Sequence, residues 1–82
     1  MARLNKIPSL ETATLVRDSE ELGAALRARR KELGYTQEWC AKMLGFSPRL
    51  VGEIERGRGT VAFDKVLWYA KNLGMDIILD RR

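Results

Sequence analysis

Residues 36–57 read TQEWCAKMLGFSPRLVGEIERG, and the order of residue types along this stretch decides the fold. Thr36 is a good N-cap, so a helix is predicted to open at Gln37 and run to Leu44. Gly45 ends it, because glycine enters the left-handed region without the clash a Cβ brings. Ser47-Pro48 then restarts a helix at once. Serine caps the free amides, and proline, with φ already restricted, suits the first helical position. This second helix is expected to reach about Arg56 and stop at Gly57. Two short helices joined by a tight glycine turn make a helix-turn-helix unit. Ala41 is small where the helices would cross, Phe46 closes the turn, and Val51 and Ile54 anchor the second helix inward. Its other face is then expected to carry Pro48, Arg49, Gly52, Glu53 and Arg56 outward.

Working outward, Asp18-Ser19-Glu20-Glu21 has the pattern of a capping box, with Asp18 as N-cap and Glu21 three residues on. Leu22, Ala25, Leu26, Arg29 and Leu33 follow on one helical face, and Gly34 stops that helix. Downstream, Thr60 is the expected cap of a further helix whose inner face would be Phe63, Val66, Leu67, Ala70 and Leu73, ended by Gly74. Residues 75–80, Met-Asp-Ile-Ile-Leu-Asp, change to an extended, β-branched pattern and are expected to form a strand. Thr12 to Val16 is a second candidate strand. Residues 1–11, with Pro8 and no helical period, are expected to form a loose arm. The expectation is a mainly α fold, four helices with a short strand at each end, in a single domain over residues 12–82.

Composition narrows the chemistry. With 82 residues there is room for one domain, and 45% hydrophobic with 32% charged residues is ordinary for a globular one. There is no histidine, and the single Cys40 can form neither an internal disulfide nor a cysteine-based metal site. No pair of carboxylates, lysines or tyrosines stands apart from ordinary helix-surface charge. No catalytic residue, metal or cofactor is therefore expected, and the chain does not read as an enzyme. No apolar run approaches the roughly 18 residues of a membrane span, and the N-terminus lacks a signal-peptide core, so a cytoplasmic protein without membrane contact is expected. Fifteen Lys and Arg against eleven Asp and Glu give +4. This favours a polyanionic partner, a weak signal until the positions of the charges are known.

The pattern Thr36-Gln37-x-x-x-Ala41-x-x-x-Gly45-Phe46-Ser47-x-x-x-Val51-x-x-Ile54-Glu55-x-Gly57 resembles the Cro/lambda-repressor type of helix-turn-helix domain, the Xre family. The resemblance covers roughly residues 18–73, and many positions agree at fixed spacing. Cys40 departs from the usual leucine, and Gly52 from a frequent serine. The family implies a compact helical domain whose third helix enters the DNA major groove. The tail, Leu73-Gly74-Met75-Asp76-Ile77-Ile78-Leu79, resembles more loosely the HipB-like antitoxin regulators. In those proteins C-terminal strands of two subunits pair into a dimer. A homodimer, a palindromic operator and a HipA-like kinase toxin as partner are what that likeness implies.

Each side chain then has an expected role. Arg49, near the start of the recognition helix, can meet guanine in a bidentate fork. Glu53 can accept from cytosine, although a carboxylate near phosphate more often repels. Gln37, by resemblance, contacts phosphate and buttresses the reading residues. Ser47 caps its helix and can also meet phosphate, while Arg56 and Arg58 strengthen binding without reading sequence. By resemblance, Arg30 and Glu55 form an ion pair between the first and third helices. Cys40 reads as a small buried apolar residue, and Trp39, Trp68 and Tyr69 read as core or interface. The reading is a sequence-specific transcriptional repressor of antitoxin type. Its rival is a protein-interaction module that keeps the fold without binding DNA.

Overall fold

The computed structural model describes residues 12–81. Four helices form: α1 (Ser19–Glu32), α2 (Gln37–Leu44), α3 (Pro48–Glu55) and α4 (Phe63–Asn72). Three begin on the expected side chains. Asp18 Oδ1 accepts from the Glu21 amide at 2.8 Å, Thr36 Oγ1 from Trp39 at 3.0 Å, and Ser47 Oγ from Leu50 at 3.0 Å. Each satisfies one of the amides that a helix start leaves without an internal partner. Gly34, Gly45, Gly57 and Gly74, the four expected stops, all have positive φ.

The fourth helix starts differently from the expectation. Its N-cap is Ala62, with no side-chain cap, and Thr60 stays in the loop. A turn in which the Val61 amide donates to the Arg58 carbonyl at 3.3 Å delays the helix by two residues. Val61 and Val66 both pack against the core. They occupy the N′ and N4 positions of a hydrophobic staple, which fixes the entry of α4 without a polar cap.

The core comprises Leu26 of α1, Cys40 and Ala41 of α2, Val51 and Ile54 of α3, and Tyr69, Ala70 and Leu73 at α4. Cys40 is buried as expected. Phe63 and Leu67, expected inside, are instead 59% and 42% exposed, and Tyr69 takes the central place with no exposure. The helix is rotated because the Tyr69 hydroxyl reaches a buried acceptor, Glu55, at 2.5 Å. Trp68 stays half-exposed, and Trp39 stacks on Tyr35 with ring centroids 4.3 Å apart.

No strand forms among the described residues, so both expected strands are corrected. A strand exists through ladder hydrogen bonds to a neighbour, and residues 12–16 and 75–80 do not pair with one another. Met75 packs on the core, whereas Leu79 is 96% exposed. The arm proposed for residues 1–11 lies outside the described residues. Among the described residues no helix is long and apolar enough to cross a membrane.

Candidate nucleic-acid interface

Helix α3 packs on α1 and on α2. Its contact with α1 is close because α1 carries glycine in mid-helix. A Cβ at Gly23 would stand 2.5 Å from the Ile54 carbonyl oxygen and 2.6 Å from that of Glu55. At the end of α3, Ser19 Oγ donates to the Gly57 carbonyl at 2.8 Å. On the α2 side, Ala41 and Val51 are both fully buried where the helices meet. The Phe46 amide donates to the Ala41 carbonyl at 2.8 Å, closing the turn around Gly45.

One carboxylate ties all four helices together. Glu55 of α3 accepts from Arg30 Nε at 2.7 Å and Nη2 at 3.0 Å, a two-point contact from α1. It also accepts from Gln37 Nε2 of α2 at 2.9 Å and from the Tyr69 hydroxyl of α4. The third guanidinium nitrogen of Arg30 donates to the Tyr35 carbonyl at 2.7 Å. Among the described residues no buried side-chain polar atom lacks a partner. Burial alone would push the Glu55 carboxyl up, but the donors Arg30, Tyr69 and Gln37 outweigh it and hold it below the usual carboxylate range. Burial, and then the bond to Glu55, push the Tyr69 phenol well above its ordinary value. Arg30 stays charged, its pKa raised chiefly by the same hydrogen bonds to Glu55. Burial raises the Cys40 thiol, so it is not poised as a nucleophile.

With Val51, Ile54 and Glu55 turned inward, the opposite side of α3 is presented to solvent. Pro48, Arg49 and Arg56 are exposed there, and Glu53 is half-buried. Arg49 Nε donates to Glu53 Oε2 at 3.3 Å, one turn apart, and the arginine side chain is 85% exposed. Such a pair is weak and is readily exchanged for another partner. Ser47 is exposed at the start of α3, with its hydroxyl already engaged as the cap.

One of the expected site residues is not exposed, and another holds the buttressing contact expected of it. Gly52 does not lie outward: it is buried, and a Cβ there would stand 3.1 Å from Arg56 Nη1. At 100° per residue it falls between Pro48 and Arg56, and the Arg56 side chain folds back over it. Gln37 faces inward and uses its amide nitrogen on Glu55, as a buttress. Arg58 is exposed in the loop, against a hollow of 430 Å³ shared with Arg17, Leu22, Phe63 and Val66.

The positioning roles of three residues escaped the sequence reading. Gly23 had a signal, since a glycine within a helix is worse than alanine by about 1 kcal/mol and implies close packing. Tyr69 had none beyond being aromatic. Arg29 donates to the Leu73 carbonyl at 2.9 Å, joining α1 to the end of α4, and nothing in the spacing foretold it.

Known proteins match this arrangement. The uncharacterized HTH-type transcriptional regulator YazB of Bacillus subtilis (strain 168) is 55% identical over 40 residues, 49% of this chain and 58% of that protein. The match therefore spans little more than half of that relative's length. Two solved structures, a HipA-HipB-O2-O3 complex and a HipB-O4 20mer complex, each align with TM-score 0.76 at 17% identity, over 84% of this chain and 97% of theirs. That likeness is one of fold, and the fold is HipB-like. The family described as "Helix-turn-helix domain" matches residues 21–78, which hold α2, α3, α4, α1 from Glu21 onward and the Glu55 network. The chain belongs to this helix-turn-helix domain family.

Proposed function

We propose that the protein is a sequence-specific DNA-binding transcriptional repressor that reads the major groove with α3. One observation carries this reading. Helix α3 is locked by its inner face to three other helices, which leaves Arg49, Glu53 and Arg56 on a free outer face. A rigid helix with a polar outer face and no structural task for it is what groove reading needs. Membership in a helix-turn-helix family and the regulator name borne by YazB support it.

Arg49 is assigned to a base, and Ser47, Arg56 and Arg58 to phosphates. Pro48 sets the entry of α3 to the groove, and Gln37 holds Glu55. Glu53 must release Arg49 before it can read a base. Arg49→Ala is expected to weaken binding to a selected operator by about 1–3 kcal/mol while mixed-sequence DNA is bound almost as before. Competition titrations measure both. Equal loss on the two DNAs would assign Arg49 to phosphate only. Absence of any salt-dependent DNA binding would replace the repressor by a protein-interaction module.

The same reading includes a homodimer on a palindrome. Phe63, Leu67, Trp68, Ile77 and Ile78 are exposed apolar side chains on α4 and the tail. A second copy would cover them and would give residues 75–80 a strand partner. Deletion of residues 75–82 is expected to yield a folded monomer with much weaker operator binding. A truncated protein that stays dimeric in sedimentation equilibrium, with full affinity, would refute this.

The HipA-HipB-O2-O3 complex supports a further partner, a HipA-like kinase toxin, and with it an antitoxin role. Tagged protein drawn from its native cell should bring down a stoichiometric kinase-like partner. Recovery of the protein alone would count against that role.

A further inference from the structure

Beside the reading face of α3 lies a groove of 600 Å³ whose walls come from α1, α3 and Gln37 at the start of α2. Its floor is made by residues with little or no side chain, Ala24, Ala28 and Gly52, and its rim by Arg27, Lys31 and Arg56. Residues 24, 27, 28 and 31 share the face of α1 opposite its core residue Leu26, by the 100° rotation per residue. At the α3 side the groove is lined by Gly52, Glu55 and Arg56, and Arg56 lies next to Arg49 by the same rotation, so the groove borders the face that carries Arg49. Gly52 keeps the floor low, and the Arg56 guanidinium hangs over it, within 3.1 Å of where a Cβ would stand.

The charges on this rim are not balanced. Among the described residues, no carboxylate pairs with Arg27, Lys31 or Arg56; the four ion pairs use Arg17, Arg29, Arg30 and Arg49. Arg27 and Lys31 stand one turn apart as like charges, an arrangement that mildly destabilises a helix. The one acid in the groove wall, Glu55, already accepts four hydrogen bonds. The cluster therefore presents unneutralised positive potential around a space with room for an anion.

We propose that Arg27 and Lys31 of α1, with Arg56 of α3, bind backbone phosphate, so that α1 forms a second contact with the DNA beside the recognition helix. This rests on the DNA-binding reading above. An α-helix with its side chains is roughly 10–12 Å across, and the major groove is about 12 Å wide. Once α3 fills the groove, the phosphates bounding it lie against whatever flanks the helix. On the Gly52 side that is this rim of cations. The shallow floor lets the sugar-phosphate chain approach until all three cations reach it. The contact carries no base information and adds affinity for every sequence.

The test measures the salt dependence of binding to a mixed-sequence duplex, by fluorescence anisotropy over a range of KCl. Three proteins are compared: wild type, the double variant Arg27→Ala/Lys31→Ala, and a charge-matched control, Lys42→Ala/Lys71→Ala. Both altered pairs are exposed, and neither control residue borders the groove. Thermal melts establish that all three proteins are folded. The groove variant should lower the slope of log K against log salt by about 0.9–1.8, for one or two lost phosphates, while the control leaves it unchanged. An unchanged slope in the groove variant, with wild type still binding, overturns the clamp and leaves the DNA reading intact. Equal losses in both variants overturn it too, since net charge would then suffice. No salt-dependent binding by wild type would remove the DNA reading and the clamp together. In a separate arm, tripolyphosphate is titrated against the amide resonances of Arg27, Lys31 and Arg56. Saturable binding there with an unaltered DNA slope would assign the groove to a free oligophosphate and overturn the backbone assignment.

Discussion

Arg30→Met is expected to destabilise the fold by about 3–5 kcal/mol at neutral pH, because it strands a buried carboxylate. The Glu55 side chain is only 1% exposed, and Arg30 supplies two of its four hydrogen bonds and, among the described residues, its ion-pair partner. What remains, Gln37 and Tyr69, are neutral donors. The pH dependence identifies the cause. In the wild type the Glu55 pKa is lowered, so its contribution is present above the ordinary carboxylate range and is lost as pH falls through the folded value. In the variant burial prevails and Glu55 should take up a proton on folding. Its deficit against wild type should therefore shrink steadily as the medium is acidified. Urea titrations across that range measure the difference. The double variant Arg30→Met/Glu55→Met should recover much of the loss, since replacing both members of a buried pair is often neutral. A single variant within about 1 kcal/mol of wild type would show that the pair is not what holds α1 to α3.

Gly57→Ala should lose about 2–5 kcal/mol, from two causes that add. The residue has φ +74°, where a Cβ meets the carbonyl oxygen at a penalty of about 1–2 kcal/mol. The same Cβ would stand 2.4 Å from the Glu20 Cα and 2.6 Å from the Ser19 carbonyl oxygen, so the start of α1 must move. Forced movement of packed backbone adds about 1–3 kcal/mol. Gly34→Ala is the internal comparison: its φ is +81°, yet nothing lies within 4 Å of its Cβ position. It should show the conformational penalty alone. Equal losses at the two positions in calorimetry would mean that α1 gives way without resistance.

The helix-turn-helix itself was legible because its signals are local. Thr36, Gly45, Ser47, Pro48 and Gly57 act on the backbone within a few residues of themselves, and each does so in the structure. Helix α4 was misread because its sequence, FDKVLWYAKN, is apolar on more than one face. Periodicity cannot choose among Phe63, Leu67 and Tyr69. The choice falls to a hydrogen bond with Glu55, fourteen residues away in another helix. The tail was read as a strand from its β-branched residues, but composition says nothing about where a ladder partner comes from. On the candidate interface, the exposure of Arg49 and Arg56 followed from the burial of Val51 and Ile54. The burial of Gly52 did not, since it depends on how the Arg56 side chain lies.

The two sides of α3 are subject to different constraints on change. Its inner side is held in common by three other helices through Glu55, so a substitution there disturbs all of them together. Among the described residues its outer side has one side-chain ion pair, Arg49–Glu53, which contributes next to nothing to folding. Positions 49 and 53 can therefore be rewritten while stability stays nearly constant. A lineage duplicating this gene could drift to a new recognition sequence without passing through an unfolded ancestor. A protein engineer could randomise the same two positions and lose few library members to misfolding.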